Sequence, residues 1–154
     1  MELSKKVNEH FRSLGLTLGS VESFTGGLFA KEITAVSGAS KFYKGGFVTY
    51  ATEEKVNLLK ISAVKIFKFG VVSREIAFDM ANHARQLLNT DVCVSFTGNA
   101  GPRAMEGKPV GEVHMCISTS DSAQIYSLML KGSREEIQQQ AVEFVLKKLL
   151  EIKK

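Results

Sequence analysis

Residues 16–27 read Leu16-Thr17-Leu18-Gly19-Ser20-Val21-Glu22-Ser23-Phe24-Thr25-Gly26-Gly27. Their reading decides the fold. The stretch 16–22 is rich in apolar and β-branched residues and reads as a strand. Gly26 and Gly27 let the backbone turn sharply, and a helix follows to about residue 36. A strand that enters a helix through a glycine turn is the first half of a right-handed βαβ crossover. The free N–H groups of such a turn make an anion site or an oxyanion hole. The Ser23 hydroxyl stands at the bend, where nucleophilic serines stand in other strand-to-helix turns. A plain capping turn explains the same residues without chemistry.

Working outward, Leu3, Val7, Phe11 and Leu14 recur at helical spacing, and Gly15 closes that helix. Residues 37–45 form a loop or a short helix, and 46–51 read as a second strand. Thr52 is read as the cap of a helix over 53–59. Residues 65–72 connect without an assigned element. Ser73 caps a helix with Ile76, Met80, Ala84 and Leu87 on one face. A third strand spans 91–96, a long loop 97–110, and an antiparallel pair 112–118 and 124–130. Ser133 and Glu136 make a capping box for the last helix, whose inner stripe is Ile137, Ala141, Val145, Leu149 and Ile152. The alternation of elements predicts a layered α/β fold.

Composition narrows the function. The chain has 154 residues, 44% of them hydrophobic, which fits one domain with a real core. No run of about 18 apolar residues occurs, which excludes a spanning helix. The polar start at Met1–Lys6 does not read as a signal peptide, so a cytoplasmic protein is expected. Cys93 and Cys116 sit in strand-like runs and read as buried free thiols. The net charge of +4 is scattered along the chain. There is no strong basic patch and no set of base-stacking aromatics, so direct nucleic-acid binding is not expected. A mildly positive field still favours phosphate-bearing small molecules. His10 and His83 fall on helices, at the surface, and His114 in a strand. None has metal-ligand spacing, and no metal is expected.

Three loops share the carboxyl edge of the expected sheet: 23–27, 50–55 and 97–111. Lys55 falls in a first helical turn, where the helix dipole repels an ammonium. That repulsion and partial burial would favour the neutral amine that a general base requires. A solvated lysine paired with Glu53 or Glu54 is the plain alternative. Tyr50 ends the strand beside Lys55 and could hold a proton. Ser40, in Gly38-Ala39-Ser40, precedes the second strand, at the opposite edge from Lys55 unless a short helix brings it back. Ser95-Phe96-Thr97-Gly98-Asn99-Ala100-Gly101-Pro102, closed by Lys108-Pro109-Val110-Gly111, is a Gly-rich loop able to cradle phosphate.

These motifs together resemble one known family. Val21–Gly27, Gly38–Ser40, Gly46-Phe47-Val48-Thr49-Tyr50 with Lys55, Gly70-Val71-Val72-Ser73, Thr97-Gly98 with Ala100-Gly101-Pro102, and Lys108–Gly111 are similar to the CinA C-terminal domain family. The resemblance covers nearly the whole chain in the family's order. It implies a three-layer α/β/α fold with a mostly parallel five-stranded mixed sheet. It implies hydrolysis of nicotinamide mononucleotide to nicotinate mononucleotide and ammonia by a serine–lysine mechanism, without metal or cofactor. The family's motif serines fall on Ser23 and Ser40, its tyrosine on Tyr50 and its lysine on Lys55. Either serine is open as the nucleophile. Nucleotide binding falls on Thr25, Gly26, Gly27, Thr97, Gly98, Ala100 and Gly101. Four positions depart from the pattern: Phe24 for a small residue, Asn99 for an apolar one, Arg103–Gly107 for paired glycines, and Glu112 for a threonine. Arg103 could restore a phosphate contact. The alternative functions are a catalytically degenerate nucleotide-binding module and a competence- or DNA-damage-related interaction factor. The edge of the hairpin over 112–130 could support a homodimer.

Overall fold

The computed structural model describes residues 2–154. Its elements in chain order are α1 (Glu2–Leu14), β1 (Leu18–Glu22), α2 (Leu28–Thr34), β2 (Tyr43–Val48), α3 (Thr52–Asn57), α4 (Ala63–Phe69), α5 (Arg74–Leu88), β3 (Val92–Gly98), β4 (Glu112–Thr119), β5 (Ala123–Met129) and α6 (Arg134–Leu149). The strands form one sheet in the order β2-β1-β3-β4-β5. β2, β1 and β3 run parallel, whereas β4 and β5 return antiparallel. Helices cover both faces. Val7, Phe11, Phe29, Ile33, Ile137, Val142 and Val145 from α1, α2 and α6 build the core on one side. Ile66, Ile76, Met80 and Ala84 from α4 and α5 build it on the other. This is the layered α/β fold that the alternation of elements predicts, in the three-layer α/β/α form that the family resemblance implies. All five residues of β1 are buried, as expected for a strand covered on both faces.

The register places the functional edge. Glu22 pairs with Val48 of β2 and with Phe96 of β3, so the three parallel strands end nearly level. The chain is pinned just beyond them, where Ser23 N–H donates to Phe96 O and Thr49 N–H to Glu22 O. The loops that follow the three strands therefore leave from one rim.

Several local readings change. β2 begins at Tyr43, three residues before the strand start read from sequence, because Gly45 and Gly46 continue the ladder. Ala51, not Thr52, is the N-cap of α3, with extended backbone and no side-chain cap bond. The unassigned connection over 65–72 contains α4, whose N-cap Ser62 accepts from Lys65 N–H. The capping box of Ser133 and Glu136 is present. His10 and His83 are half-buried, not free at the surface: a ring nitrogen of each lies 2.8 Å and 2.7 Å from the carbonyls of Ile152 and Leu59. Both cysteines are buried and unpaired. Among the described residues, no helix is long and apolar enough to cross a membrane.

Candidate active site

The site begins with a buried carboxylate. Glu22, 1% exposed at the end of β1, accepts N–H bonds from Gly27 and Phe29 on Oε1 and from Ala30 on Oε2, at 3.2, 2.9 and 3.1 Å. Its charge is met by the start of α2, where the helix dipole favours an anion. This corrects one expectation. The Gly26–Gly27 helix start, read as a berth for phosphate, already holds an anion from the chain itself. The N–H groups of Phe24 and Thr25, one step earlier, have no protein acceptor among the described residues.

By holding the turn, Glu22 presents Ser23 to Lys55. The Lys55 ammonium nitrogen donates to Ser23 Oγ at 3.0 Å and to Thr49 O at 2.6 Å. Lys55 is 1% exposed. Burial penalises its charged form and brings its pKa down from 10.5 to about 8, while Glu106 and Glu53 pull weakly the other way. At that value roughly a tenth of the molecules carry a neutral amine at pH 7. The solvated-lysine alternative is thereby set aside. Lys55 is instead a buried amine in contact with a hydroxyl, the pairing a base-activated nucleophile requires.

The loop 99–111 forms the far wall. Thr97 Oγ1 donates to Val71 O at 2.6 Å, and the Glu106 carboxylate accepts from Val71 and Val72 N–H at 2.9 and 3.1 Å. Lys108 Nζ donates to Phe69 O at 3.0 Å and also to Val72 O. These bonds staple the long loop onto the turn after α4. Asn99, 2% exposed, ties the loop to itself by donating from Nδ2 to the carbonyls of Met105, Lys108 and Pro109.

Between the walls lies a cleft of about 100 Å³, lined by residues that include Ser23, Tyr50, Asn99, Gly101, Arg103 and Arg134. Pockets for whole drug-sized ligands run to several hundred cubic ångströms, so this one has room for no more than a ring-sized group. Arg134, at the start of α6, closes that rim. It donates to Gly101 O at 2.6 Å and to the Tyr50 hydroxyl at 2.8 Å.

The structure thus brings Ser23, Tyr50, Lys55, Gly98, Ala100, Gly101 and Arg103 to one edge, with Ser23 and Lys55 in direct contact. Thr25 is buried in the turn beside Ser23, and Thr97 beneath the loop. Tyr50 is 61% exposed, and its hydroxyl meets Arg134, so it belongs to the rim. Ser40 is not brought in. It is exposed on a short 3-10 helix, Ala39–Lys41, that precedes β2, and so lies at the opposite end of the strands from Lys55. Sequence reasoning missed Glu22, which reads as one more strand residue, and Arg134, which reads as an ordinary residue of a first helical turn.

Solved structures share this architecture. A CinA superfamily protein from Klebsiella pneumoniae superposes with a TM-score of 0.95 at 29% identity, over 97% of this chain and 94% of that one. A competence/damage inducible protein, CihA, from Agrobacterium tumefaciens does so with a TM-score of 0.93 at 33% identity, over 97% and 92%. A protein of Geobacillus sp. (strain WCH70) carrying the name of a competence-damage inducible protein is 40% identical over 152 residues. That match takes in 96% of this chain but 36% of the relative, so the chain spans about a third of that relative's length. The model of the CinA C-terminal domain matches residues 1–153, and the chain belongs to the CinA C-terminal domain family.

Proposed function

We propose that the chain is an amidohydrolase that removes ammonia from the carboxamide of nicotinamide mononucleotide, with Ser23 as nucleophile and Lys55 as its base. The observation that carries this reading is the 3.0 Å contact between Ser23 Oγ and the amine of a buried Lys55. Neutral Lys55 takes the Ser23 proton as the oxygen attacks the carboxamide carbon. The N–H groups of Phe24 and Thr25 are available to the developing oxyanion, a contribution of about 3 kcal/mol per well-placed donor. The lysinium then returns its proton to the leaving ammonia, and water cleaves the acyl-enzyme. Thr49 O holds the amine on this line throughout. A pyridine carboxamide suits the small cleft, and Arg103 and Arg134 at its mouth suit the phosphate that must remain outside.

The test is release of ammonia from nicotinamide mononucleotide by the intact chain. Lys55→Ala and Ser23→Ala should each lower turnover by at least about a hundredfold, the low end for loss of a general base. Normal rates in Lys55→Ala would refute the mechanism. Tight binding of the nucleotide by the native chain without release would instead favour the non-catalytic module.

A further inference from the structure

We propose that Asn99 is the residue by which this cleft tells a carboxamide from a carboxylate, its Oδ1 accepting a hydrogen bond from the N–H of a bound primary amide. The inference rests on the amidohydrolase reading and names the selectivity of the same site. Asn99 lines the cleft beside Ser23. Its Nδ2 is spent on three backbone carbonyls, which fixes the orientation of the side-chain amide: the reverse orientation would set oxygen against oxygen three times. What remains is Oδ1, buried and without a partner among the described residues.

Thr25 and Thr49 also carry unpartnered buried oxygens. A hydroxyl can rotate and donate, however, whereas a carboxamide oxygen can only accept. An acceptor kept dry and unpaired costs about 1–3 kcal/mol, and a ligand N–H that reaches it recovers that cost. A primary amide brings two such hydrogens. A carboxylate brings none, and its lone pairs face those of Oδ1. Every cationic group of the site, Lys55, Arg103 and Arg134, would by itself favour the carboxylate. A preference for the amide therefore needs an acceptor, and Asn99, a residue of the cleft wall, carries an unpartnered one in Oδ1, buried beneath the surface. Oδ1 is closed to solvent, so the wall around Asn99 must give slightly when the amide enters; Arg103 and Met105, exposed residues of the same cleft, lie in the loop that would move. The same contact turns repulsive once hydrolysis makes the acid, which speeds product departure.

The experiment uses the Ser23→Ala chain, so that ligands survive, and titrates it by calorimetry with nicotinamide mononucleotide and with nicotinate mononucleotide. The amide should bind at least about tenfold more tightly, the equivalent of one hydrogen bond plus the removed repulsion. In Ser23→Ala/Asn99→Leu that ratio should fall to about threefold or less. Loss of loop order alone would weaken both ligands together and leave the ratio intact, and that result overturns the proposal. A ratio near one in Ser23→Ala overturns it too, whether or not the leucine variant folds. If the native chain releases ammonia while either of these holds, only the role of Asn99 fails. If neither nucleotide binds and none is hydrolysed, the amidohydrolase reading falls and takes this inference with it.

Discussion

Lys55→Met replaces a buried amine by an uncharged side chain of similar length, and its effect on stability reports the protonation of Lys55 without any substrate. In the native chain the pKa of Lys55 falls from 10.5 to about 8 on folding, chiefly because burial penalises the ammonium. At about 1.4 kcal/mol per tenfold in proton affinity, the change amounts to about 3 kcal/mol. The sign follows from proton counting. Between pH 8 and 10.5 the unfolded chain binds the proton and the folded chain does not, so the stability of the native chain rises with pH through that window. Below the window both states are charged, and the full cost of burying the cation is present. Above it both are neutral, and the cost is gone. Lys55→Met has no such contribution. Its lost bonds to Thr49 O and Ser23 Oγ shift the stability by an amount that hardly varies with pH. The stability of the variant minus that of the native chain should therefore fall by about 3 kcal/mol from pH 7 to above 10.5, whatever its absolute value. Urea unfolding of both proteins at half-unit steps of pH measures this directly. Parallel curves across the window would mean that Lys55 titrates like a solvent-exposed lysine, and the base would lose its physical ground.

Further outcomes follow from the same contacts. The rate of amide hydrolysis should climb with pH and level off above about 8 as Lys55 loses its proton, and a flat profile from pH 6 to 9 would count against a lysine base. Glu22→Gln turns an amide NH2 toward an N–H of α2 and removes the charge at its start, so unfolding in urea should show a loss of about 2–3 kcal/mol. A loss below half a kcal/mol would show that the helix start does not depend on that carboxylate. Gly111 has φ +94°, and a Cβ there would lie 2.0 Å from Leu130 O. Gly111→Ala should cost about 3 kcal/mol, read from the same unfolding curves, because a backbone oxygen cannot rotate away.

The fold was legible where sequence and structure obey the same local rule. Gly26 and Gly27 both take positive φ, and the turn they mark is real. Ser73 and Ser133 cap their helices through their own hydroxyls. Reading failed where burial does not follow helical period. Within α4, Val64 and Phe67 are 77% and 93% exposed, so the segment shows no apolar stripe toward the core. Gly45, between Tyr43 and the residues read as strand, hid the start of β2, because glycine carries no strand preference of its own. The site was legible as a set of loops on one rim, and Ser23 with Lys55 as its candidates. Two features were not. Glu22 acts through N–H groups that no sequence pattern displays. Arg134 meets Tyr50 across 84 residues of chain, a separation that only tertiary packing closes.

The antiparallel return of β4 and β5 has a practical corollary. Val92, at the beginning of β3, pairs with Thr119, so the tip at Ser120–Ser122 hangs from the end of the sheet remote from the cleft. Peptide tags, fluorophores or a whole guest domain spliced into that tip would ride on a rigid lever without touching the chemistry, which marks it as the place to attach a reporter.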